Sequence, residues 1–216
     1  MLKIKVFTFS PIQENTYLLY NEHKECIIID PGCYFPEEQQ ELKAFLDSNH
    51  LIPKMLLNTH CHLDHVFGNK FVAETYGLTL QLHPKEEVVL QMASASGLMF
   101  NLPFDNYQGK FIFLKEGDRI NLIEDELEVI DAPGHSPGSI CFYSNSQKFI
   151  IGGDVLFNGS IGRTDLPGGD FDTLIKSIKE KLFVLPDEVI VYNGHGPETT
   201  IGNEKKFNPF VGEGLK

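Results

Sequence analysis

The chain has 216 residues, enough for one large domain with a sizeable core, and 42% apolar against 22% charged residues is the balance of a water-soluble globular protein. Its formal charge of −12 opposes the phosphate neutralisation that drives nucleic-acid binding, and no Lys/Arg-rich run overrides it. No stretch approaches the roughly 20 apolar residues of a membrane span, residues 1–7 lack the apolar core of a signal peptide, and the four cysteines form no CxxC pair. The expectation is a cytoplasmic protein with free thiols and neither nucleic acid nor membrane as a partner.

Residues 2–6 alternate Leu2, Ile4 and Val6 with Lys3 and Lys5, the period of a half-buried strand. A loop holding Ser10-Pro11 leads to a second strand at 16–20. A charged turn, with His23 as a solvated side chain, leads to a third at 26–29, which Asp30-Pro31-Gly32 ends with turn chemistry. Leu42, Phe45 and Leu46 mark one helical face within 37–49. The apolar run Met55-Leu56-Leu57 reads as a buried strand, and Thr59-His60-Cys61-His62-Leu63-Asp64-His65 follows it. A helix over about 69–76 stops at Gly77, and Leu78, Leu80 and Leu82 alternate as a strand ending at His83, which is given a structural role. Pro84 opens a helix through Met92 and beyond. The segment 93–108, rich in Gly, Ser, Met and Phe, reads as an irregular connection or as a lid or pocket wall. Strands follow at 120–122, 127–130, 140–143 and 149–151, then an amphipathic helix over 171–183, a buried strand at 189–192 and one short helix within 199–210. Strands then helices appear twice with no linker between the halves. This predicts two packed sheets with helices outside, in a single domain spanning 1–216.

Three imidazoles and a carboxylate within 60–65 are the ligand types that Zn, Fe and Mn favour. Residues two apart on an extended backbone point to the same side, so His60 and His62 can reach one metal. Asp64 and His65 lie beyond the bend and can turn to a second. Cys61 faces away from both histidines and is read as a packing residue. Three more loops follow apolar strands: Asp131-Ala132-Pro133-Gly134-His135, Gly152-Gly153-Asp154 and Asn193-Gly194-His195-Gly196-Pro197. In each, a His or Asp stands among Gly and Pro where a strand end can hold it rigidly.

The run from Thr59 to His65 carries a His-x-His-x-Asp-His motif. With His135, Asp154 and His195, the sequence resembles the metallo-β-lactamase-fold hydrolase superfamily, and within it the glyoxalase II-like (hydroxyacylglutathione hydrolase-like) branch. The resemblance covers nearly the whole chain. It implies an α/β (α+β) fold, a four-layer αβ/βα sandwich of two mostly antiparallel or mixed sheets with helices outside and a metal site at one edge. It also implies two divalent metal ions, zinc foremost, with iron or manganese also suited. His60, His62 and His135 would bind one metal, Asp64, His65 and His195 the second, and Asp154 would bridge them; Asp64 and Asp154 are the candidate catalytic carboxylates. The implied reaction is hydroxide attack on a small-molecule thioester such as S-lactoylglutathione, releasing hydroxy acid and glutathione; two metals can lower a water's pKa toward about 7 and polarise a carbonyl. A thiolate leaving group needs little protonation.

Gly162-Arg163-Thr164-Asp165 resembles a segment near the site of this branch and of persulfide dioxygenases. Arg163 is the candidate substrate-binding residue, clamping a carboxylate bidentately, or else it pairs with Asp165 or Asp170 and holds its loop. Asp165 is a candidate for orienting a ligand histidine. The rival readings are a mono-iron persulfide dioxygenase, using the positions of His60, His135 and Asp154, and a non-catalytic metal-binding protein. A lactamase is disfavoured, since many zinc lactamases that resemble this pattern lack the aspartate at the Asp154 position. Eukaryotic glyoxalase II enzymes add a helical domain that helps bind glutathione. Only 21 residues follow His195 here, so the substrate grip is expected to differ, and a general thioesterase fits as well.

Overall fold

The computed structural model describes residues 1–212. Lys3–Phe9 (β1) and Glu14–Tyr20 (β2) pair antiparallel, and Glu25–Ile29 (β3) adds antiparallel to β2. Ile52–Leu57 (β4), Leu80–Leu82 (β5) and Phe111–Phe113 (β6) then add in parallel. Parallel addition needs crossovers, and the chain returns each time through helices: Pro36–Asn49 (α1), then the short Leu63–Val66 (α2) with Asn69–Tyr76 (α3), then Glu86–Met99 (α4). The first sheet therefore runs β1-β2-β3-β4-β5-β6.

The second sheet opens as a meander of Arg119–Leu122 (β7), Asp125–Asp131 (β8), Ile140–Ser144 (β9) and Phe149–Gly153 (β10). A ribbon of Leu156–Phe157 (β11) and Ser160–Ile161 (β12) and the helix Phe171–Ser177 (α5) intervene. Ile190–Asn193 (β13) then lies parallel to β10, Thr199–Thr200 (β14) forms the edge, and Ile201–Phe207 (α6) follows.

Period-two alternation divides each strand between two cores. Leu19, Ile27, Ile29 and Leu57 of the first sheet face Val129, Phe142 and Ile151 of the second. Their neighbours Leu18, Ile28 and Leu56 pack outward against Leu42 and Leu46 of α1, Val72 of α3 and Leu90 of α4. On the far side Ile130, Ile150 and Val191 meet Leu174 of α5 and Ile201 of α6. These layers are the expected four-layer sandwich of two mixed sheets. Each fully buried aliphatic side chain stabilises it by about 1.5–3 kcal/mol relative to exposure.

Several boundaries differ from the sequence expectation. The strand expected from Leu78 begins at Leu80, because the chain leaves α3 through Gly77 at φ +66 and the Leu78 amide is taken by the Ala73 carbonyl. The amphipathic stretch 171–183 is not one α-helix: Ile178–Leu182 forms a π-helical turn, with Phe183 N–H donating to the Ile178 carbonyl. The segment 93–108 splits. Its first part is the end of α4, and residues 100–108 fold back on that helix, where the Asn106 side-chain amide donates to the Leu90 carbonyl and the Leu102 amide to that of Gly97. No helix among the described residues is long and apolar enough to cross a membrane.

Candidate metal centre

Each candidate ligand stands just beyond the end of a strand, at the same edge of the two sheets. His60, His62, Asp64 and His65 follow β4, His135 follows β8, Asp154 follows β10 and His195 follows β13. In the first stretch the chain stays extended through His62 (φ −65, ψ 155) and then coils into α2, which turns Asp64 and His65 to the other side of the cleft floor.

Two groups of donors result. The ligand atoms of His60, His62 and His135 lie within 4.8 Å of one another, and so do those of Asp64, His65 and His195. In the first group His135 Nε2 is 2.8 Å from His62 Nδ1 and 3.2 Å from His60 Nε2. In the second, His195 Nε2 is 3.1 Å from Asp64 Oδ2, and His65 Nε2 is 3.8 Å from the same oxygen. Asp154 stands between them, with Oδ2 3.5 Å from His135 Nε2 and 3.6 Å from His195 Nε2, and Oδ1 3.4 Å from His65 Nε2. His60, His65 and Asp30 form a further group of this kind, although the hydrogen bonds of Asp30 give it another role.

The far side of four of the five rings is tied down, which fixes the atom each of those presents. His135 Nδ1 donates to the Arg163 carbonyl at 2.7 Å and His195 Nδ1 to the Gln13 carbonyl at 3.1 Å. A carbonyl only accepts, so the proton stays on Nδ1 and Nε2 faces the cluster. His65 Nδ1 donates to Asp30 Oδ2 at 3.1 Å. Asp30 also accepts from the Thr59 hydroxyl (2.5 Å), the Thr59 amide (2.7 Å) and the Asn58 side chain (3.1 Å), and the Thr59 oxygen in turn lies 3.1 Å from His60 Nδ1. One buried carboxylate thus orients a ring in each group. The loop carrying His195 is held from β2, where the Asn15 side chain donates to the carbonyls of Asn193 and Gly196 and Tyr17 Oη to that of Asn193.

Burial and neighbouring imidazoles press the His60 ring well below the ordinary histidine range and His62 down to about 3. His135 is lowered as well, chiefly by burial. These three rings are neutral and carry lone pairs. Burial also works against protonation of His65 and His195, but Asp154 and Asp64 outweigh it and hold both rings above the ordinary value, while those carboxyls are drawn down by the same pairing.

The donor set fits divalent metal. His65 Nε2 and Asp154 Oδ1 are buried and face each other at 3.4 Å without forming a hydrogen bond, a costly arrangement unless a cation is meant to meet them. Three convergent neutral imidazole nitrogens likewise lack enough protons to satisfy one another. Close approach is required as well. A Cβ on Gly194 would fall 2.0 Å from Asp154 Oδ1, and one on Gly153, at φ +51, would fall 2.3 Å from the Thr59 hydroxyl.

Arg163 lies at the cleft, but its side chain is 57% exposed and its guanidinium makes two 2.7 Å bonds to Asp165. The structure thus favours the loop-holding alternative, and the backbone of Arg163, not the Asp165 side chain, orients a ligand ring. Asp170 caps α5 instead. Cys61 is fully buried in the first core, where burial pushes its thiol up. His83 sits apart from the cluster, with Nδ1 accepting the Lys85 amide at 3.2 Å. Asp30, Thr59 and Glu86 were not foreseen as site residues. Asp30 follows a strand end as the ligands do, a signal read only as turn chemistry; Glu86 has no sequence signal at all.

A family model described as the metallo-beta-lactamase superfamily matches residues 10–195. The chain is similar to a hydroxyacylglutathione hydrolase, GloC, of Haemophilus influenzae, at 37% identity over 97% of this chain and 98% of that protein. Among solved structures it is similar to the BLEG-1 B3 metallo-beta-lactamase, with a TM-score of 0.89 and 37% identity over 97% of this chain and 99% of the other. It is also similar to the di-iron-bound form of TTHA1623, with a TM-score of 0.87 and 37% identity over 96% and 100% of the two chains.

Proposed function

We propose, from the premise that the chain belongs to the metallo-beta-lactamase superfamily, that this metallo-hydrolase uses two divalent metals to cleave a thioester. One observation carries the reading: the Asp154 carboxylate lies between two separate ligand groups, 3.5 Å from one and 3.6 Å from the other, where a single metal would need only one group. On this assignment His60, His62 and His135 would hold the first ion and Asp64, His65 and His195 the second, with Asp154 placed to serve both. When bound, such a pair supplies a water of lowered pKa and polarises a carbonyl.

The chain's own residues do the rest. Asp30 and the carbonyls of Arg163 and Gln13 keep the rings aimed, so that little reorganisation accompanies reaction. A cleft lined by Ile12, Val89, Met92 and Phe157 among others opens onto the ligand residues. Among the described residues no further acid lines it, which suits a thiolate that leaves unprotonated. The name of the H. influenzae relative makes S-lactoylglutathione the first substrate to try. Zinc is the expected metal, and the di-iron form of the structural relative supports iron as the alternative.

The test is metal analysis together with a panel of S-lactoylglutathione, simple acyl thioesters, a β-lactam and glutathione persulfide. Metal-dependent thioester hydrolysis, with about two metals per chain, is the expected result. Oxygen consumption with the persulfide in place of hydrolysis, or turnover of the β-lactam alone, sinks it.

A further inference from the structure

We propose that the arm of the thioester extending from the metal floor is apolar, so that an aliphatic acyl or alkyl thioester is preferred over a glutathione conjugate. This rests on the hydrolase reading above and names the substrate class of the same site.

Three observations carry it. The cleft has a volume of about 580 Å³, and above the ligand residues its walls include Ile12, Val89, Met92, Phe100, Phe157 and Leu166. Ile12, Met92 and Phe100 remain 36%, 50% and 56% exposed, so apolar surface is left to water beside the candidate centre.

Cationic counter-charge is scarce. Among the described residues lining the cleft, Arg163 is the one Lys or Arg, and its Nε and Nη2 are paired bidentately with Asp165, which offsets its charge. A glutathione arm brings two carboxylates and one ammonium, a net negative charge, to a chain of net charge −12. Recognition of such an arm needs free cations, and this cleft offers apolar side chains instead.

The wall is also built in place. Glu86, at the start of α4, is fully buried and accepts from the Cys61 amide at 2.7 Å, the Gly138 amide at 2.7 Å and the Ser136 hydroxyl at 2.6 Å. The helix carrying Val89 and Met92 is thereby fixed to the loops of His60, His62 and His135. The apolar surface therefore keeps its position relative to the ligands, as a subsite must.

The test uses the metal-loaded full chain and two series of substrates. One runs from acetyl to octanoyl thioesters of N-acetylcysteamine, the other from ethyl to octyl thioacetates, and S-lactoylglutathione is the reference. The expected result is kcat/KM rising with chain length in one or both series and exceeding the reference by at least about tenfold. Met92→Glu, at a half-exposed position that tolerates charge, should abolish that rise while metal content stays at the wild-type value. Asp165→Asn, which releases the Arg163 guanidinium, should narrow the gap to S-lactoylglutathione. Preference for S-lactoylglutathione, no rise in either series, or a rise that Met92→Glu leaves intact overturns the proposal but spares the hydrolase reading. Absence of metal-dependent hydrolysis for every thioester overturns both.

Discussion

Gly194→Ala tests the geometry of the centre without altering any proposed ligand. Its φ is not in the left-handed region, so the cost of the methyl is steric alone. The added Cβ would stand 2.0 Å from Asp154 Oδ1 and 2.7 Å from His65 Cε1. Non-bonded atoms of this kind prefer separations near 3.5 Å, so Asp154 must retreat by more than about 1 Å. The same carboxylate spans both ligand groups, and its retreat loosens both. A displacement of that size at a reacting centre costs about 10²-fold in rate, near 2.7 kcal/mol of barrier. Gly152→Ala is the matched control, because its Cβ would meet Val191 Cγ1 at 3.6 Å and the Tyr192 carbonyl at 3.8 Å, ordinary contacts. Metal content and kcat/KM on the preferred thioester should fall for Gly194→Ala and hold for Gly152→Ala, with similar melting curves for the two stripped proteins. Full metal and activity in Gly194→Ala, or equal losses in both variants, would refute the reasoning.

Asp154→Ala should remove bound metal and hydrolysis together; activity without it is incompatible with a two-metal centre. Asp30→Ala leaves His65 Nδ1, the Thr59 amide and the Asn58 side chain without their shared acceptor. Chelator competition should show metal affinity lower by about 10–100-fold. Stripping the metal from the wild-type protein removes the linkage stabilisation, about 2.7 kcal/mol at a free metal concentration 100 times Kd. For a chain of this length that corresponds to a melting temperature lower by roughly 5–10 °C, read by calorimetry with and without chelator. An unchanged melting curve would mean that the ligand groups do not bind metal in the folded state. Glu86→Ala orphans three donors at once and should destabilise by at least about 1–3 kcal/mol in denaturant titration.

What the sequence made legible follows from how each residue acts. His60, His62, Asp64 and His65 are adjacent in the chain, and His135, Asp154 and His195 each end an apolar run among Gly and Pro, so strand-end logic finds them all. Asp30 stands in an equivalent position. Its role is hidden because Asp-Pro-Gly satisfies a turn by itself, although its backbone at φ +49 and its four acceptor contacts serve the site. Glu86 follows Lys85 and precedes Glu87, as a solvated helix face would, and only the tertiary structure buries it. The wall role of 93–108 was half visible. Its composition suggested contact with a pocket, but helical period could not be separated from loop in a stretch rich in Gly and Ser. Strands β6, β11, β12 and β14 have two or three residues each and exist only through their neighbours.

The division of the proposed ligands between the sheets also orders events during synthesis. Neither of the two assigned groups is complete until the second sheet is under way, since one needs His135, after β8, and the other His195, after β13. A nascent chain that has emerged only as far as β6 holds the His60–His65 loop but lacks the partners that close it. Metal capture on this assignment is therefore a late step that reports docking of the second half onto the first. A chain made without metal would still pack its two halves through the core they share, but with both ligand groups unfilled.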